Sequence, residues 1–263
     1  MSAYCPLLAS AVWLATFPLI GVAADPPRAP QPPFTNATAQ EWLDDLVAVG
    51  SLRDNAFLYE EAAQDLSHRL AAWRGAEVTL NLKVVKVTKE AVICDSLQFG
   101  RIAVRNEQEP ASSPPPQQSL GNTVALRIGD VVPLDLARRL RAGDMLVLDG
   151  VVAASDYQPG RAMELIVGRG RPSALVSRSY TGDSGEINNL DQYVDTPHYP
   201  PEALNAQAGG LAVVTVAPKK MVLATSAGNS LLDDAVMKAM QRIENNKHLF
   251  PGEHRFHFTI LQR

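Results

Sequence analysis

The residues able to carry chemistry are few: five histidines, two cysteines and the adjacent aspartates Asp233-Asp234, in a chain of 263 residues. His254-x-x-His257 falls in the alternating run HRFHFTI, which reads as a strand. On a strand a three-residue step sends the two rings to opposite faces, which is poor metal geometry. His248 is near in sequence, but no cysteine or carboxylate stands at ligand spacing. Asp233-Asp234 stands at the start of an amphipathic run, where two carboxylates favour a helix N-terminus rather than paired acid–base work. Cys94 follows Ala91-Val92-Ile93 and reads as a small buried hydrophobe on a strand. No G-x-S-x-G, Walker A or Rossmann glycine pattern occurs. The chemistry excluded is therefore most enzymatic chemistry: no catalytic residue, no cofactor and no metal is expected, and the chain reads as a non-enzyme.

Nucleic acid is excluded on similar grounds. Single-strand binding needs aromatic platforms inside a basic groove. Phe99 and Tyr157 fall in or near loops, and Arg138, Arg139 and Arg141 read as the solvated face of a short helix. The formal net charge is -4, which also argues against coating a polyanion.

The elements that must position these residues begin after an apolar leader. Hydrophobic residues make up 46% and charged residues 20%, so a packed core is within reach. Cys5 to Ala24 carries no charge, and Val22-Ala23-Ala24 ahead of Asp25 suits signal-peptidase cleavage. Twenty such residues can also cross a bilayer as an anchor. No Lys or Arg precedes the segment, so the charge rule does not separate the two readings. Either one places the rest of the chain outside the cytoplasm, in the periplasm or held at the inner membrane. Loss of Cys5 with a leader would leave Cys94 without a disulfide partner.

DPPRAPQPP, residues 25–33, is an extended spacer within a Pro-rich segment assigned to 25–38. A helical region follows over 39–74. In its second helix Tyr59, Ala62, Ala63, Leu66, Leu70 and Trp73 recur at three- and four-residue steps. From Glu77 the period becomes two, and the apolar phase flips at Val85 and Val87, as a β-bulge or a strong bend requires. Further strands are predicted over Ala91–Cys94, Arg101–Arg105, Thr123–Ile128, Met145–Val152 and Ala162–Val167, with a short helix after Pro133. Residues 109–122 read as a Pro/Ser loop and Gln158-Pro159-Gly160 as a turn. GAEVTLNLKVVKV with LARRLRAGDMLVLDGVV, inside residues 75–172, resembles the OB-fold, in particular periplasmic modules related to the tRNA_anti-like family. Residues 173–194, rich in Ser, Gly, Asn and Asp, read as an interdomain linker.

In the last segment Pro201 opens a short helix, Gly209-Gly210 ends it, and Leu211–Val216 and Met221–Thr225 form two strands. Ser230 with Asp233 is similar to a capping box ahead of a helix whose apolar face is Leu232, Val236, Ala239, Met240 and Ile243. Phe256, Phe258 and Ile260 alternate with His257, Thr259 and Leu261 in a final strand. This order, with its particular residues, resembles the C-terminal domain of the TonB family over 195–263. The matching features are Tyr199-Pro200 with Ala203 downstream, Gly210, and SAGNSLLDDAVMKAM, where Ser226, Gly228, Leu232-Asp233 and Ala235 fit the family's Ser-Gly…Leu-Asp…Ala pattern. Ala217-Pro218-Lys219-Lys220 stands where the family has an Asp/Gly hairpin turn.

The resemblance implies an α+β multidomain chain: N-terminal helices, an OB-like β-barrel, then a small TonB-like domain of two helices and three antiparallel strands. It implies an exported cell-envelope protein of a Gram-negative-type bacterium that binds other envelope proteins, outer-membrane receptors among them. The alternative is a membrane-anchored energy transducer of the TonB type serving outer-membrane transport. If the final strand is the sheet edge, the backbone of Phe256, His257, Phe258, Thr259, Ile260 and Leu261 is the expected partner-binding surface.

Overall fold

The switch from three-and-four spacing to period two near Glu77 divides the chain into a helical hairpin and a sheet. The structure, a computed structural model, describes residues 32–95, 101–104, 123–156, 164–182, 195–217, 220–245 and 251–261. The apolar leader, the Pro/Ser loop and the turn at 158–160 lie outside the described residues. All described residues fall in one compact unit, Gln31–Arg263. No helix among them is long and apolar enough to cross a membrane.

Helix α1 spans Asn36–Gly50 and α2 spans Ala56–Ala72. Thr35 caps α1 by accepting from the Thr38 amide at 3.5 Å, and Asn55 caps α2 through the Leu58 amide at 3.3 Å. Ala63, Leu66 and Leu70 form the buried stripe of α2, as the spacing predicts. Arg69 ties the hairpin together: it pairs with Asp45 and Asp65, both at 3.0 Å, and lies 5.3 Å from the Trp42 ring centroid.

The chain is mixed α+β, with a mostly antiparallel open sheet. Its strands are β1 (Phe34–Thr35), β2 (Glu77–Val87), β3 (Ala91–Asp95), β4 (Arg101–Val104), β5 (Thr123–Arg127), β6 (Met145–Asp156), β7 (Glu164–Thr181), β8 (Gly210–Ala217), β9 (Lys220–Thr225) and β10 (Gly252–Ile260). Three helices complete it: α3 (Leu134–Ala137), α4 (Pro201–Asn205) and α5 (Ser230–Asn245). The sheet order is β5-β3-β2-β6-β7-β10-β8-β9; β1 pairs with β2 and β4 with β7, both parallel. Of the two readings of the phase flip, bulge or bend, the structure has a bulge between Val84 and Lys86, and it leaves Val85 exposed.

Two hydrophobic cores lie on the sheet. The first joins Phe34, Leu66, Leu70, Leu80, Leu82 and Leu126 beneath the helical hairpin. The second joins Tyr199, Ala203, Val214, Leu232, Val236, Phe256 and Phe258 beneath α4 and α5. Strands β6 and β7 serve both. Met145 and Val147 enter the second core while Leu146 and Leu148 enter the first; Ala174 and Val176 enter the second while Leu175 enters the first. A strand buried on both faces reads as a continuous apolar run, which explains MLVL. Each such side chain contributes about 1.5–3 kcal/mol by leaving water.

Two expected boundaries change. The spacer does not reach residue 38: Phe34 is fully buried and meets Trp73 edge-to-face at 5.4 Å, and α1 begins at Asn36. The linker does not begin at 173: residues through Thr181 extend β7, because Ala174 and Val176 fill the second core and pair with β10. Strands β8, β9 and β10 therefore continue the long sheet instead of forming one of their own.

Candidate functional site at the sheet edge

The residues matched to the TonB pattern all shape how the last segment seats. Tyr199 is buried; its backbone amide donates to Asn81 Oδ1 at 2.7 Å and its hydroxyl to the Ala208 carbonyl. Its ring meets Phe258 edge-to-face at 5.4 Å, and burial pushes the phenol up to about 12. Asn81 is itself held by Asn36, whose Oδ1 accepts the Asn81 amide at 2.8 Å, so one buried amide joins α1, β2 and the Tyr199 segment. Pro200 caps α4 and Pro201 takes its first turn, where a missing N–H costs nothing. Gly210 has no room for a side chain, since a Cβ there would run into the Ala227 carbonyl.

Asp233 does not complete a capping box with Ser230. Its carboxylate accepts from the Ala227 amide at 2.8 Å and bonds Ser226 Oγ at 2.5 Å. Asn229 takes the capping role, its Oδ1 accepting the Leu231 amide at 2.9 Å. Asp233 thus fixes the loop from β9 into α5, with Gly228 at φ +82° within it. Leu232 is fully buried in the second core and Ala235 is half-buried.

The six residues expected to form an open edge are enclosed. β10 pairs with β8 through Gly252–Phe258 and with β7 through Glu253–Ile260. Phe256 and Phe258 are core; His257 is exposed above a backbone flanked by Leu211 and Ser177. Thr259 and Ile260 pair with Leu175 and Ala174, and the Leu261 amide donates to the Ser173 carbonyl at 2.9 Å. The physical reason is that β7 runs on past the expected domain boundary and fills the position beside β10. The two histidines do part as the strand requires: His254 is 2% exposed against Tyr180, and His257 faces solvent. His248 lies outside the described residues. Among those described, no group of three or more His, Cys, Asp or Glu could hold a metal. Cys94 is fully buried, and burial, with Asp95 adding to it, pushes its thiol far up.

The order of the sheet ends in β5 on one side and in β9 on the other, and β9 is the end that belongs to the last segment. It pairs with β8 from Val213↔Thr225 to Ala217↔Lys220, with a bulge at Val213/Val214. Among the described residues no strand lies on its other side. Met221 and Leu223 pack on the second core, while Lys220, Ala224 and Thr225 are exposed and Val222 is 39% exposed. Sheet edges are usually blunted by proline, by charge (lysine above all), by a β-bulge or by a covering segment, and β9 carries two of these, Lys220 at its start and the bulge between Leu223 and Thr225. From Met221 to Thr225 there is neither proline nor charge. Such an edge offers alternate N–H and C=O groups to an extended chain.

A second unpaired stretch is handled differently. β6 ends its pairing at Met145↔Val176, leaving β7 beyond that point without β6. There the buried carboxylate of Asp144 accepts the backbone amides of Arg178 and Arg141, the latter at 2.8 Å. Burial outweighs these bonds and the nearby Arg178 and Arg141 charges, and raises Asp144 to about 6. On the surface close by, Asp195 lies 3.9 Å from both Lys83 and Arg242.

Sequence reasoning placed a strand at Met221–Thr225 but did not see that it ends the sheet. The available signal was its weak alternation between two lysines and the loop at Ser226, beside the stronger apolar run of β8. Compared with protein-family models, curated proteins and solved structures, the chain finds no match.

Proposed function

We propose that this chain is an exported cell-envelope protein that binds partner proteins through its C-terminal unit, residues 195–263, a unit of the TonB type, with residues 75–172 as an OB-like scaffold. Binding is by strand addition, and the edge that accepts the strand is β9. The observation that carries this reading is the uncharged run Met221–Thr225 at one end of the sheet, beside which no further strand lies among the described residues. Strand addition takes its affinity from main-chain hydrogen bonds and its selectivity from alternate side chains. Half-buried Met221 and Leu223 on one face and Val222 on the other supply those contacts.

The test is capture of envelope proteins by the full chain and by Met221→Pro and Val222→Pro, neighbours in the regularly paired part of β9 that therefore sample both backbone directions. One of these variants loses an outward N–H and with it capture, while its fold, read by circular dichroism, stays intact. Undiminished capture by both folded variants removes the edge reading. Sequencing the mature N-terminus tests export separately: a start near Asp25 agrees with a cleaved leader.

A further inference from the structure

Independently of the β9 edge, we infer that the outer face of the α1–α2 hairpin docks a basic, amphipathic segment of a partner protein. The argument begins with side chains that the fold does not use. Phe57 is 87% exposed and Val47 74% exposed, the highest values among the described large apolar residues, and neither belongs to a core. Helical spacing explains where they point. Phe57 lies nine positions before the buried Leu66, about two and a half turns, and so on the opposite side of α2. Val47 lies five positions after the buried Trp42, about 140° around α1. Helix stability does not account for them either, since aromatic and β-branched side chains are poorer helix formers than Ala, Glu or Lys. Leu58, 49% exposed, adds to the apolar surface beside the turn. An exposed apolar patch rimmed by polar residues marks an interaction site.

Charge selects the occupant. Residues 36–74 carry seven acidic and three basic side chains, so the whole formal excess of -4 in the chain resides here. Arg69 is engaged by Asp45 and Asp65, Arg53 stands in the turn beside Asp54, and Arg74 lies beyond the C-terminus of α2. Among the described residues no cation pairs with Asp44, Glu60 or Glu61, all three exposed. These carboxylates stand beside the apolar residues: Asp44 precedes Val47 by three positions, and Glu60 and Glu61 follow Phe57 by three and four. At those steps side chains are neighbours on a helix surface, with Cβ atoms about 5–6 Å apart. A bare phenyl ring with carboxylates one turn away attracts a lysine or arginine twice, over the ring face and by ion pairing. Val47 and Leu58 then meet the apolar side chains of the same segment, as when an amphipathic helix lays its apolar face on a partner. The same charge disfavours other occupants. An anionic bilayer surface attracts basic segments and repels this face. A second copy presenting the same face brings like charges together.

The probe is a labelled peptide of leucine and lysine in an amphipathic helical pattern, titrated with the full chain and followed by fluorescence anisotropy. The chain is expected to bind it, to bind a leucine–glutamate peptide of the same pattern at least about tenfold more weakly, and to lose affinity as salt rises. Phe57→Ser and the double variant Glu60→Lys/Glu61→Lys are each expected to weaken binding at least about tenfold. Both are expected to keep the urea midpoint of the parent chain, since all three side chains are exposed. Absence of leucine–lysine binding, equal binding of the two peptides, or binding indifferent to Phe57→Ser or to the charge reversal overturns the proposal. A large fall in the urea midpoint of Phe57→Ser does so too, because the phenyl ring then serves the fold. If Met221→Pro and Val222→Pro lose the peptide while Phe57→Ser keeps it, the peptide is read at β9; this proposal then fails and strand addition stands. Two further results would give the face to another occupant and overturn the basic-partner reading. One is flotation with phosphatidylglycerol vesicles that depends on Phe57. The other is self-association abolished by Phe57→Ser, which would point to the exposed Arg138, Arg139 and Arg141 of a second copy.

Discussion

Strands β9 and β10 flank the same strand, β8, yet they live in different surroundings. β10 lies between β8 and β7, and Phe256 and Phe258 anchor the second core. Among the described residues β9 has β8 on one side only, and Val222 and Ala224 meet solvent. Both strands alternate, so alternation alone does not separate them. What separates them is the neighbour in the plane of the sheet, set by a strand more than seventy positions away in sequence, as in the pair His254↔Tyr180. An interior strand contributes stability through its buried side chains, and an edge strand retains unsatisfied backbone for use elsewhere.

The sharpest way to break this contrast is truncation. Phe256→Ala should cost about 3–5 kcal/mol, the usual loss for a large buried aromatic, whereas Val222→Ala should stay within about 0.5 kcal/mol in the single chain. Urea unfolding of both variants, followed to low protein concentration, measures the difference. Equal losses would erase the distinction between the two strands.

A second test concerns how the molecule treats an interior edge. Asp144 titrates near 6 in the fold against 3.8 ordinarily, so the folded chain holds a proton that the unfolded chain has released. Its contribution favours folding fully below the ordinary value and is lost as pH rises through about 6. Asp144→Asn should remove a pH dependence of about 3 kcal/mol across that window, read from unfolding curves at several pH values. An unchanged slope would mean that the carboxylate is not the cap of the β7 overhang.

The smallest effect is expected on the solvent face of β10. Arg255 and Glu253 pair at 2.8 Å, each about half exposed. A double-mutant cycle should give less than about 0.5 kcal/mol, and less again in high salt. A larger coupling would move part of the stability of β10 from its buried face to its exposed one.

Much of the fold was legible because it is written locally. The α2 stripe, the bulge after Val84, Pro201 at the first turn of α4 and the faces of His254 and His257 all follow from spacing within a few residues. The errors share one cause. Phe34 joined the spacer in the sequence reading because prolines precede it, yet the burial that fixes it comes from Trp73. Residues 173–181 looked polar because Ser173, Ser177 and Ser179 alternate with residues that face inward, and only the distant β10 explains why they form a strand. The candidate site suffered most, since an edge is defined by which strand fails to pair, and no local pattern records that.

The place of β10 bears on how the molecule is made. A ribosome delivers β7 and β8 before the strand that lies between them, and until Gly252–Ile260 emerges that slot stays empty. The second core then lacks Phe256 and Phe258, its two phenylalanines. Local helices can form early, but sheet closure waits for contacts of long sequence separation, which are the slow ones. A chain held in that unfinished state is still a thread, and a thread can pass through a translocation pore that a closed sheet cannot.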